Sequence, residues 1–235
     1  MFINFRAEIS QENALYIEKL LDKHDLREIW SSADMWYSLH EYARGYHNIH
    51  HASKVVNNIF AICPEPPLEL LMAAMWHDAI YIPGAGGDVN EKASSAAMMM
   101  AYNRRLMNRL RVDSVHTTPI MNAARILIDG TCIEMHFIPW DMNKDAVFRG
   151  FLPYLVDADL SSLADDWESF LLSQSKIINE NYGDVNDPEN LKKCAEFLRK
   201  FLYVRHNIYH TPKARELWED KARANILRLI DETGA

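Results

Sequence analysis

Four side chains that can hold a metal ion stand on apolar stripes of this sequence. His77 and Asp78 lie side by side at the end of a strongly apolar run, Leu68 to Trp76. Asp78 extends the stripe of Leu71, Ala74 and Met75, and His77 extends that of Leu70, Ala73 and Ala74. Burying such groups without partners would cost about several kcal/mol, so they demand a counterpart. His51 leads an i, i+4, i+8 stripe with Val55 and Ile59, which turns it inward on a helix, whereas His50 leads towards Lys54 and Asn57. Asp159 falls on the stripe of Leu152, Leu155, Val156 and Leu163, and Asp157 falls off it. Taken singly, each has an ordinary reading: a hydrogen-bonded core histidine, a helix-terminal histidine beside a solvated aspartate, a buried salt bridge or cap. Together they offer two imidazole nitrogens and two carboxylates. That mixture suits Mn²⁺, Fe²⁺, Co²⁺, Ni²⁺ or Mg²⁺ in an open site better than a closed tetrahedral zinc.

The elements that must position these residues read as helices almost throughout. Ser10 caps a helix through Leu15, Ile17, Leu20 and Leu21. A second is expected over Trp30–Tyr42, ended by Gly45, and a third over Tyr46–Ile62. Pro67 opens a fourth, Leu68–Asp78. The stretch Pro83–Asp88 is glycine-rich, but no strand precedes it and no GK[ST] closes it, so it reads as a lid over a site and not as a phosphate loop. Helices follow over Asn90–Leu110 and Pro119–Asp129, the latter stopped by Gly130. Further helices are expected over Ala146–Leu163, Trp167–Asn181, Pro188–Val204 and Thr211–Asp231, and Thr131–Asn143 gives no clear signal. Met98–Met100 read as core filler. The expected fold is one all-α domain over 1–235, with the metal site in the core of a helical bundle.

Composition narrows the function. The chain has 235 residues, 49% hydrophobic, with a formal net charge of -8. An acidic balance argues against general nucleic-acid binding, while a local cluster of Arg and His could still hold a phosphate. Three scattered cysteines form no CxxC and fit reduced thiols in a cytoplasmic protein. The first residues lack the order of a signal peptide, and no apolar run reaches the ~18–20 residues of a membrane span. A homodimer is compatible with the sequence without being required by it.

At the metal-competent residues the chain resembles the HD superfamily of metal-dependent phosphohydrolases, whose signature is H…HD…D in a helical core. It is similar in particular to a bacterial subgroup of predicted HD phosphohydrolases. The stretches that carry the likeness are Arg44-Gly45-Tyr46-His47-Asn48-Ile49-His50-His51, the pair His77-Asp78, and Asn90-Glu91-Lys92-Ala93-Ser94-Ser95-Ala96. Asp157-Ala158-Asp159-Leu160-Ser161-Ser162-Leu163, Ile208-Tyr209-His210-Thr211 and Glu219–Asn225 add to it. Ala164 stands where the subgroup usually has glycine. The resemblance implies that His51, His77, Asp78 and Asp159 are metal ligands. It also implies an HD-type core at roughly 44–165, with helices of 166–232 packed on it.

The chemistry then expected is hydrolysis of a nucleotide or other small phosphoester, with Asp78 and Glu91 as catalytic residues. Glu91 opens the helix after the loop and suits either a general acid or base or simple placement at a helix N-terminus. Arg44 and His47, one turn before His51, are candidates to hold phosphate, with Lys92 and Arg223 behind them. Arg223 and Asn225 otherwise bond only to neighbours, and His206 and His210 read as structural. Some HD proteins hold a second metal through extra histidines, for which His116 and His136 are the candidates here. If they serve so, a di-iron oxygenase becomes the rival reading. A non-catalytic nucleotide-binding protein is the other.

Overall fold

A computed structural model describes residues 9–39, 44–109, 117–132, 150–204 and 206–235. The described residues are helical with no strand, as the periodicity predicts. In order the helices are α1 (Gln11–Lys23), α2 (Arg27–Ser38), α3 (Ile49–Ile62), α4 (Leu68–Trp76), α5 (Val89–Arg109) and α6 (Thr117–Asp129). After them come α7 (Leu152–Asp159), which runs into a 3-10 turn (Leu160–Ala164), then α8 (Trp167–Tyr182) and α9 (Pro188–Tyr203). A short turn (Pro212–Ala214) and a π segment (Arg215–Glu219) lead into α10 (Asp220–Thr233). None of the described helices is long and apolar enough to cross a membrane.

Local chemistry explains most boundaries. Ser10, Asn48, Asp166, Asp187 and Thr211 each accept a backbone N–H at a helix start, which satisfies donors the helix leaves open. α4 is apolar on every side, and Leu68 and Leu70 to Trp76 are all buried. Such a helix belongs at the centre, and α4 packs against both α3 and α6, with α5 covering α6. α3 also packs against α7, so the helix carrying His51 touches both the helix that delivers His77 and the one that ends in Asp159. α9 lies against α10, and α10 against the 3-10 turn.

Two differences from the expected elements have physical causes. The third helix starts at Ile49, not Tyr46. The Asn48 side chain caps the amides of His50 and His51, while the amides of Tyr46 and His47 go to the Glu180 carboxylate. The fourth helix ends at Trp76, and His77 and Asp78 stand in the turn that follows. There Ser94 Oγ both accepts from Ile80 N and donates to Ile80 O, at 3.0 Å each, so the chain leaves the helix. Met98 is fully buried as filler, but Met100 is exposed. Gly130 does follow α6, and a Cβ there would press into the Leu152 side chain, so close approach as well as helix termination favours glycine. The unclear stretch Thr131–Asn143 and the start of the expected Ala146–Leu163 helix fall largely outside the described residues.

Candidate metal centre

Four ligand-type atoms, one each from His51, His77, Asp78 and Asp159, lie within 4.8 Å of one another. His51 Nε2 is 3.0 Å from Asp159 Oδ1 and 3.5 Å from Asp78 Oδ2. His77 Nε2 is 2.9 Å from Asp78 Oδ2 and 3.5 Å from Asp159 Oδ1. The two imidazole Nε2 atoms face each other at 3.3 Å.

His77 Nδ1 lies 2.8 Å from the Ala74 carbonyl oxygen, which can only accept, so Nδ1 carries the proton. The lone pair of neutral His77 is thereby left on Nε2, facing the cluster. Two imidazole nitrogens in contact need a positive centre between them, either a proton or a metal ion. The donor set, the fixed tautomer and the burial of both histidines fit a divalent cation. Without one, protons take that role. Burial pushes His77 and His51 down, but the Asp78 and Asp159 carboxylates outweigh it and hold both above the usual histidine range. Burial likewise pushes Asp78 and Asp159 up, and the histidines more than reverse this, leaving both carboxyls low.

Beside this cluster opens a cavity of about 320 Å³. His47, His77, Asp78, Glu91 and Asp159 line it, as do Ala85 and Gly87 of the glycine-rich stretch. Gly87 takes a positive φ of 67°, where a side chain would be strained, and its carbonyl accepts from Cys132 Sγ at 3.5 Å. Asn90 ties the same stretch at its other end, its Oδ1 accepting from Ile82 N at 2.8 Å. Glu91 Oε2 is buried and makes no hydrogen bond among the described residues. Burial foremost, with the Asp78 and Asp88 charges adding, pushes its carboxyl above the usual range.

His47 is held from behind. Its Nδ1 lies 2.5 Å from Glu180 Oε2, and Glu180 Oε1 accepts from Tyr46 N at 2.7 Å and His47 N at 3.0 Å. These bonds outweigh burial and keep Glu180 ionised to lower pH. The His47 ring stacks on Tyr81 at 3.8 Å, and the Tyr81 hydroxyl donates to Asn181 Oδ1 at 3.0 Å.

The structure does not bring every expected residue to this cavity. Arg44 is buried beneath the site, where its Nη1 donates to the carbonyls of Asp78 (3.2 Å) and Ala79 (3.1 Å). Through Nη1 it fixes the backbone of the His77–Asp78 turn, and it is not on the cavity wall. Lys92 is exposed and pairs with Asp88. Arg223 donates to Glu219 and the His206 carbonyl, well away from the wall. Asn225 Nδ2 donates to the Leu163 and Asp165 carbonyls at 2.9 Å each, closing the turn after Asp159. His50 is exposed, as its helical position predicts. His116 and His136, the candidates for a second metal, lie outside the described residues.

Sequence reasoning missed Glu180, Asn181, Tyr81 and Gln174, all of them at or directly behind the cavity. Gln174 carried a legible signal, since it sits between Phe170 and Ile178 on the buried stripe of α8. Asp157 was read as lying off the buried face, yet it is fully buried. It accepts from His210 N (2.7 Å) and Thr211 N (2.6 Å), a distant contact that helical spacing does not encode.

No protein-family model matches the sequence, and no curated protein is similar to it in sequence. Among solved structures the chain is similar to the phosphodiesterase domain of the rhodopsin phosphodiesterase of Salpingoeca rosetta. The TM-score is 0.66 at 16% identity, over 95% of this chain and 85% of that one. The two share a fold, an all-α helical bundle, and in this chain the bundle core presents a His/Asp cluster that could hold a divalent ion.

Proposed function

We propose that this protein is a metal-dependent phosphohydrolase acting on a small phosphoester, with nucleotides among the candidate substrates. The convergence of His51, His77, Asp78 and Asp159 beside an open cavity carries the reading. The likeness of fold to a phosphodiesterase domain supports the same reaction class.

His51, His77, Asp78 and Asp159 would hold the ion. When bound, such an ion neutralises charge on a phosphoryl oxygen and acidifies water near neutral pH. The chain's own groups do the rest. His47, whose Nδ1 is held by Glu180 and whose ring stacks on Tyr81, leaves Nε2 as an acceptor for a water or hydroxyl in the cavity. Glu91 can give a proton to, or take one from, an oxygen in the cavity through its unpartnered Oε2. Asp78 would belong to the ligand set, and its charge adds to the burial that raises the Glu91 carboxyl.

The test is a phosphoester screen of the purified chain with Mn²⁺, Mg²⁺, Co²⁺ and Ni²⁺ in turn, beside Asp78→Ala. Turnover with at least one metal, abolished in the variant, is expected. Silence with every metal, or equal turnover in the variant, would sink the assignment.

A further inference from the structure

A second cleft, of about 240 Å³, opens where α8 passes the start of α3. His50 and Lys54 of α3 line one side of it, and Ser173 and Lys176 of α8 line the other. No carboxylate lines it. The chain as a whole carries 33 acidic residues against 25 basic ones, so a cleft walled by lysines and no acid runs against its average and concentrates positive potential locally.

The acceptors on this wall are already engaged. Asn57 Oδ1 accepts from Ser10 N at 3.2 Å and from Asn13 Nδ2 at 3.1 Å. Asn48 Oδ1 accepts from the amides of His50 and His51. Ser162 Oγ is bonded to Tyr46 Oη at 2.8 Å. The cations are set differently. Lys54 Nζ is held 2.5 Å from Asp165 Oδ2, a carboxylate that does not line the cleft, and this pair fixes one ammonium at its edge. Lys176 forms no salt bridge among the described residues. Its stem lies beside Gly45, where an added Cβ would sit 3.7 Å from Lys176 Cβ, and such a packed stem leaves the ammonium at the wet end. The positive end of α3 opens on the same cleft through Asn48 and His50.

We infer that this cleft is a second binding site, for a small phosphate-type anion held between Lys54 and Lys176. Several oxygens around a double negative charge suit two ammonium groups and a wall whose free groups are donors. Its volume is below the ~300–1,000 Å³ of sites for drug-sized ligands, which fits inorganic phosphate or a compact phosphomonoester. The Tyr46–Ser162 pair lines both this cleft and the His/Asp cavity and forms the wall between them, with the Tyr46 ring 4.6 Å from that of His51. The inference does not rest on the phosphohydrolase reading.

The experiment is calorimetric titration of the full chain with inorganic phosphate and with glycerol 3-phosphate, before and after removal of metal by a chelator. Wild type is compared with Lys176→Gln and with Lys54→Gln/Lys176→Gln. Saturable binding that persists without metal is expected, weakened about tenfold by Lys176→Gln and lost in the double variant. Either order of affinity upholds the site: tighter inorganic phosphate names the free anion as its ligand, and tighter glycerol 3-phosphate names a phosphomonoester. Binding that disappears with the metal, or that is the same in wild type and both lysine variants, would place the anion elsewhere and overturn the inference. No saturable binding of either probe would overturn it too.

Discussion

At the scale of single residues, the His/Asp cluster is a balance of charges that a divalent cation could resolve. In the metal-free protein His77 and His51 have raised pKa values because Asp78 and Asp159 favour their protonated forms more than burial disfavours them. For a raised histidine, the stabilisation is fully present below the unfolded value near 6.5 and is lost as pH rises through the higher folded value. Metal binding must displace those same protons, so it gains as they leave. The expected outcome is a melting temperature that falls for the metal-free protein as pH rises above the ordinary histidine range, while the gap to the Mn²⁺-loaded protein widens. Calorimetric melting at several pH values checks both trends, and a gap that narrows with pH would contradict the assignment. Asp159→Ala removes one of the two carboxylates, and the metal content of the purified variant should fall from one ion per chain to none by elemental analysis. Glu91→Gln should keep the metal and lower kcat by roughly 10²–10⁴ if its carboxyl moves a proton. A kcat within about twofold of wild type would reduce Glu91 to a helix-end residue.

At the scale of elements, short polar clamps hold the ligand-bearing segments where helix geometry alone would not. Glu180 on α8 takes three donors from Tyr46 and His47 and so sets how the chain enters α3 and His51. Glu180→Gln keeps the shape but turns part of an acceptor set into a donor facing N–H groups. A loss of about 1–3 kcal/mol in stability is expected, by chemical denaturation, with a fall in kcat from the misplaced His47. The same carboxyl has a lowered pKa, so its contribution is present above its unfolded value and lost as pH falls through the folded one. Ser94 plays the corresponding part beyond the His77–Asp78 turn, and Gly130 lets α6 approach Leu152 at the start of α7. Gly130→Ala should cost about 1–3 kcal/mol by overpacking against that buried leucine.

At the scale of the whole molecule, the C-terminal helices are bonded into the site and are not an appendage to a self-sufficient core. Asp157, two residues before Asp159 of the cluster, is buried and takes two amide donors from His210 and Thr211. Glu219 gathers the amides of Ile208 and Tyr209 and the Arg223 guanidinium, and Asn225 caps the turn after Asp159. Removing the chain beyond Ala164 would leave Asp157 buried without its donors. The full chain should therefore unfold in one transition, with near-ultraviolet and far-ultraviolet signals coincident, and residues 44–165 alone should not give a stable folded fragment. A protease-resistant fragment of that span would argue for an independent core.

Much of this was legible in the sequence, and for a simple reason. Helical periodicity is a local property, so the helices and the inward direction of His51 and Asp159 follow from residues a few positions apart. Caps such as Ser10 and Asp187 act over three residues and are readable in the same way. Polar residues on apolar stripes singled out the four side chains that the fold brings together, because burying an unpaired charge is costly. What spacing could not decide is which distant groups meet. The Arg44 guanidinium spans 34 residues to the Asp78 carbonyl, and Glu180 reaches back 133 to His47. Asp157 looks misplaced on its own helix until Thr211 arrives from 54 residues away. Directed hydrogen bonds across such separations depend on how the helices pack. Packing alone therefore set the Arg44 guanidinium against the carbonyls of Asp78 and Ala79 and a glutamate behind His47.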